Sequence, residues 1–89
     1  MQGEYFLLLH LLAGSGHGKR IGVTVSSKVG GAVVRNRLKR WVREYLRRHL
    51  RDIPEGDHVL VARVSAAAAV HEAVDRDLAR LFGGVKGAR

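Results

Sequence analysis

"AVVRNRLKRWVREYLRRHL" spans residues 32–50 and divides its residues between two faces. At 100° per residue, Val34, Leu38, Trp41, Val42, Tyr45, Leu46 and His49 fall within about 140° of arc. Lys39, Arg40, Arg43, Arg47 and Arg51 fall opposite. Arg35 lies at the apolar border and Arg37 on the other flank. The spacing predicts a helix over roughly 33–50, half core and half cation. "RDIPEGD" (51–57) ends it, with Pro54 and Gly56 as breakers. A helix with such a stripe needs an apolar surface to lie on, and its flanks supply one.

Upstream, "RIGVTVSS" (20–27) alternates, with Ile21, Val23 and Val25 on one side and Gly22, Thr24 and Ser26 on the other. That is a strand. "KVGG" (28–31) turns the chain into the helix, and Gly30 and Gly31 suit positive φ or close approach of a phosphate. Further upstream, "YFLLLHLL" (5–12) is a short apolar run followed by the turn-rich "AGSGHGKR". It predicts a strand with both parities apolar: Phe6, Leu8 and Leu12 on one side, Leu7, Leu9 and Leu11 on the other. Such a strand wants cover on both faces. Downstream, "HVLVARV" (58–64) predicts a third strand. "SAAAAVHEAVDRDLARLF" (65–82) predicts a last helix, with Ser65 as a cap and Val70, Val74, Leu78, Leu81 and Phe82 as its stripe. Gly83–Gly84 stop it, leaving residues 83–89 as a frayed tail. The order strand, strand, helix, strand, helix gives an α+β sandwich: one sheet of three to four strands, a basic central helix and a C-terminal helix.

The chain has 89 residues, which fits a single domain over 1–89. It has no cysteine, so disulfides and thiolate metal sites are excluded, and a reducing cytoplasm fits. Net charge is +8, unevenly spread: residues 1–51 carry +9 and residues 52–89 carry −1. That polarity points to a polyanion, nucleic acid before membrane. No apolar run approaches the roughly 20 residues that span a bilayer. Glu4 sits where a signal peptide would be basic.

Catalytic chemistry is not in view. The histidines at 10, 17, 49, 58 and 71 have no metal-ligand spacing, and His49 reads as a residue at the core's edge. Glu44 reads as an intrahelical partner of Arg40, Arg47 or Arg48, and Asp75 and Asp77 as surface residues. Binding is better supported. Arg37, Lys39, Arg40 and Arg43 project beside a glycine-bearing loop, and arginine's planar fork suits phosphate. Asn36 between two arginines is more specific than bulk charge. Three rivals remain: another RNA- or DNA-binding module such as a ribosomal protein, an amphipathic helix on anionic membrane, and an enzyme acting alone. Strands that need a core argue against the second, and the lack of an acid–base pair against the third.

The block "SSKVGGAVVRNRLKRWVRE" (26–44) resembles the bacterial ribonuclease P protein subunit. Ser26, Lys28, Gly30, Ala32, Val33, Arg35, Asn36, Arg37, Lys39, Arg40 and Arg43 fall in register with that family's pattern. The resemblance implies a ribonuclease P protein-like topology, shared with a ribosomal-protein domain, whose strand–helix–strand crossover is left-handed against the usual rule. It implies a protein cofactor of an RNA enzyme that removes the 5′ leader of precursor tRNA by Mg²⁺-dependent hydrolysis. The Mg²⁺ would be held mainly by the RNA, and the protein alone would be inactive. Arg35, Asn36, Arg37, Lys39, Arg40 and Arg43 would meet the ribonuclease P RNA. Phe6, Ser26, Lys28 and Arg63 would lie in or near the leader cleft. The expected partners are ribonuclease P RNA and precursor tRNA, with no membrane and no obligate protein partner. Ser27 and Gly31 depart from the pattern, which commonly has a polar or lysine side chain there. The family also usually begins with a basic segment and short helix that "MQGEYF" lacks, so the expectation is a missing upstream segment or a bare sheet face.

Overall fold

A computed structural model describes residues 1–11 and 19–87. The elements are β1 (Phe6–Leu11), β2 (Lys19–Thr24), α1 (Ala32–Arg48), β3 (Gly56–Ala62) and α2 (His71–Gly87). Single 3-10 turns, Leu50–Asp52 and Val64–Ala68, precede β3 and α2. The element order is the one that the apolar periodicities predict. Leu12 and the expected loop up to Gly18 lie outside the described residues.

β3 is the central strand, in the order β1-β3-β2. β1 pairs with it antiparallel, Leu8 opposite Leu60, and β2 pairs parallel, Val23 opposite Leu60. Strand alternation then sorts the sheet into two faces. Phe6, Leu8, Leu60 and Ala62 are buried with Leu38, Val42 and Tyr45 of α1 and Val74, Leu78, Leu81 and Phe82 of α2. Both helices therefore share one core on one face. The opposite parity carries Leu7, Leu9, Val59 and Val61, none of them buried, with Leu9 55% exposed. β1 has one side covered and its other side open, where two-sided cover was expected.

The free edge of β1 is not left bare. Met1 exchanges backbone bonds with Leu8 in both directions, Gly3 N–H donates to the Phe6 carbonyl, and Gln2 bridges Leu7. This short hairpin satisfies groups that would otherwise template another strand. Turn chemistry before β3 is local: Gly56 has φ 118°, a region that favours glycine. Gly30 and Gly31 do not share it. Gly30 instead sits where a Cβ would come within 3.1 Å of Val34, and Gly31 is the extended N-cap of α1.

Several expectations for the C-terminal third need correction. Ser65 does not cap α2; its hydroxyl donates to the Glu4 carbonyl. Residues 64–68 turn once as a 3-10 helix and α2 begins at His71. Val70 therefore escapes the stripe and is 63% exposed. Gly83 and Gly84 lie inside α2, which continues to Gly87, so that much of the expected frayed tail is helical. Gly84 lies beside the terminal methyl of Met1, a flexible end that could move aside, and does not stop the helix. Asp77 is 1% exposed where a surface residue was expected, and Asp75 pairs with Arg48 across the helices at 3.1 Å. Glu44 has His71 Nε2 at 3.7 Å and pairs with none of its neighbouring arginines by side chain. His49 stacks on Tyr45, 4.3 Å between ring centroids, at the core's edge as expected.

Candidate nucleic-acid interface

α1 presents its cations because its stripe is spoken for. Leu38, Val42 and Tyr45 are buried beneath it. Opposite them, Asn36, Arg40, Arg43 and Arg47 recur at helical intervals of four, three and four residues, and all four are exposed. Arg40, Arg43, Glu44 and Arg47 line a shallow open depression of about 500 Å³. Arg47 was not among the candidate contacts, although its wheel position placed it with them.

The other candidates on α1 flank this row. Lys39 and Arg35 are half-buried on one side, and the Arg35 Nε is buried with no hydrogen-bond partner among the described residues. Arg37 lies on the other side, against the 3-10 turn before α2. Its Nη2 donates to the Ala67 carbonyl at 3.3 Å, and its guanidinium lies 5.1 Å from the Trp41 ring. Trp41 in turn stacks on His71, 4.7 Å between centroids and 6° between planes. Arg37 thus has a structural task that Arg40 does not.

The start of α1 adds partial positive charge. Gly31 provides no side-chain cap, and the first turn holds no acidic residue. The amides of that turn and the positive end of the helix dipole are uncompensated by a side chain. The preceding segment folds as a turn, Val29 N–H donating to the Ser26 carbonyl. Val25 and Val29 anchor it in the core, which leaves Ser26, Ser27 and Lys28 exposed.

Register places the four leader-cleft candidates at one end of the sheet. Thr24 pairs with Val61 and Phe6 with Ala62, so Ser26, Lys28, Arg63 and Phe6 gather where β2 and β3 end and β1 begins. Phe6, however, is fully buried on the helix-covered face and has no surface to offer a ligand. The half-buried aromatic at this end is Tyr5, whose carbonyl accepts the Arg63 N–H. With both parities of β1 apolar, the sequence could not say which aromatic turns inward. Burial, helped by neighbouring Glu4, raises the Tyr5 phenol above its ordinary pKa. Arg63 is exposed, and its Nη1 donates to the Gly3 carbonyl at 2.9 Å.

The residue that sequence reasoning missed is Asp77. Its carboxylate accepts the N–H groups of Glu4 at 2.8 Å, Tyr5 at 2.9 Å and Phe6 at 3.1 Å, with Arg80 3.3 Å away. Three consecutive amides on one buried carboxylate fix the start of β1 to α2.

A mixed three-stranded sheet with two helices on one face, one of them bearing an outward row of cations, defines a small basic α+β domain shaped to meet a polyanion. The chain matches the family model Ribonuclease P over residues 1–86 and belongs to that family. It is 41% identical over 80 residues to the ribonuclease P protein component of Citrifermentans bemidjiense, covering 90% of this chain and 68% of that protein. The RNase P protein structure from Thermotoga maritima superposes with a TM-score of 0.81 at 36% identity, covering 92% of this chain and 78% of that one. The Staphylococcus aureus RNase P protein gives 0.89 at 27% identity, covering 97% and 79%. Matched stretches cover roughly half to two thirds of the curated relatives' own length.

Proposed function

We propose that this chain acts as the protein cofactor of ribonuclease P, assisting an RNA catalyst that removes the 5′ leader of precursor tRNA. The observation that carries the reading is the exposed Asn36–Arg40–Arg43–Arg47 row beside the uncapped start of α1. Phosphates of a folded RNA fit such a surface: the arginines donate paired hydrogen bonds, and the uncapped first-turn amides donate to a phosphate at the helix start. Arg35, Arg37 and Lys39 would border that contact. Asn36, exposed between them, offers an amide that can fix a backbone or read a polar edge.

The leader would pass the end of the sheet where Ser26, Lys28 and Arg63 stand, and the open parity with Leu7, Leu9, Val59 and Val61 would form the floor beside them. Mg²⁺ supplies the activated water of the hydrolysis when bound. Among the described residues no three His, Asp, Glu or Cys side chains come together to hold a metal. The resemblance assigns the metal mainly to the RNA, and the protein's part in this reading is to bring substrate and catalyst together and screen their charge. No helix of the described residues is long and apolar enough to cross a membrane.

The test is reconstitution with bacterial ribonuclease P RNA and labelled precursor tRNA at low Mg²⁺. Adding the chain should restore cleavage at the mature 5′ end. RNA binding without restored cleavage would leave only the binding half of the reading standing, and failure to bind the RNA would end it.

A further inference from the structure

We propose that Asp77 is a positioning residue that sets Arg63 in place for the substrate leader, acting through the turn Gly3–Phe6. This rests on the leader reading above. The two sides of that turn are used by different partners. Its N–H groups face α2: Glu4, Tyr5 and Phe6 all donate to the Asp77 carboxylate, itself 1% exposed. Its carbonyls face the junction after β3. Gly3 accepts the Arg63 guanidinium, Glu4 accepts the Ser65 hydroxyl, and Tyr5 accepts the Arg63 N–H. The turn is thus a rigid link between a buried acid and an exposed cation.

Gly3 supports the same reading. A Cβ there would stand 2.5 Å from Asp77 Oδ2, so the turn approaches the carboxylate as closely as a glycine permits. Arg63 spends one nitrogen on the Gly3 carbonyl. Among the described residues its other donors have no hydrogen-bond partner, and the side chain is exposed. A guanidinium held at one corner keeps its fork aimed, which lowers the ordering cost of taking a phosphate. Without the carboxylate, the amides lose their anchor and the Gly3 carbonyl no longer holds a fixed place for Arg63.

The experiment uses the complex reconstituted with ribonuclease P RNA. It compares affinity for precursor tRNA bearing a 5′ leader with affinity for the same tRNA without one. Arg63→Ala should reduce the leader's contribution about tenfold, the size of a lost charge-assisted contact. Asp77→Asn keeps the shape but turns an N–H₂ toward the amides. It should reduce the leader's contribution in the same direction, with leaderless affinity unchanged. The double variant should be no worse than Arg63→Ala alone. Should Asp77→Asn fail to melt cooperatively, Gly3→Ala, which displaces the same carbonyl from the other side, takes its place in the cycle. If Arg63→Ala acts but the second substitution does nothing or adds independently, the positioning role is overturned and the leader reading survives. If Arg63→Ala has no effect, Arg63 does not serve the leader and both fall.

Discussion

Arg40 and Arg37 are three residues apart on one helix and should respond differently to the same substitution. Arg40 is exposed on the outer row, so Arg40→Glu should weaken RNA binding by about tenfold or more while the thermal melt stays put. Arg37 is tied to the Ala67 carbonyl and to Trp41, so Arg37→Glu should also lower stability, by about 1–2 kcal/mol, in a denaturant titration. A cation's presence was legible from the sequence; its second task was not, because Ala67 lies 30 residues away. The same holds more strongly for Asp77, whose acceptor role depends on amides 71 to 73 residues distant. Nothing near Asp77 in sequence marks it, and an acid in a helix otherwise reads as solvated. Gly3→Ala, which drives a methyl into that carboxylate, should cost about 1–3 kcal/mol of unfolding free energy.

At the scale of elements, a histidine pair joins β1 to β3 and makes a pH prediction. His58 is buried, and its Nε2 must donate to the Pro54 carbonyl, which can only accept. When the His58 ring carries a single proton, that proton sits on Nε2 and its Nδ1 accepts from His10 Nδ1 across the strands at 3.0 Å, with the rings stacked at 4.4 Å. Burial, and then the neighbouring His58, push the His10 pKa below its ordinary 6.5. The unfolded chain therefore binds the proton more readily than the fold does. This contribution to stability is intact above pH 6.5 and is lost as pH falls from there toward the depressed folded value. Melting temperature should drop between about pH 7.5 and about pH 5.5, and His10→Phe should shrink that drop; an unchanged drop would remove His10 from the account. The open parity of the sheet gives a second test. Leu9→Lys should reduce binding of a hydrophobic dye with little loss of stability, since Leu9 is 55% exposed. The apolar run of β1 was legible as a strand, but its inward face was not. α2 was legible by its stripe, while its ends were not: a 3-10 turn takes residues 64–68, and the helix runs on through Gly83 and Gly84.

The whole molecule builds one core on one side of a sheet, leaves an apolar strip open on the other, and carries most of its excess charge on the first half of the chain. That division was readable from the charge distribution and the period of residues 32–50, because both are local properties. The arrangement of the turn, loop and strand ends around them was not, since it depends on register between distant strands. Binding dominated by phosphate contacts should be steeply salt-dependent. With about six phosphates engaged, log K should fall with log salt at a slope of roughly −4 to −5. The most direct test is the affinity of the chain for ribonuclease P RNA across a salt series, alone and as Arg40→Ala. A steep slope for the wild type, shallower by about one for the variant, with both melting alike, is the predicted result. A shallow slope, or one that Arg40→Ala leaves unchanged, would contradict the claim that the outer row of α1 holds the RNA.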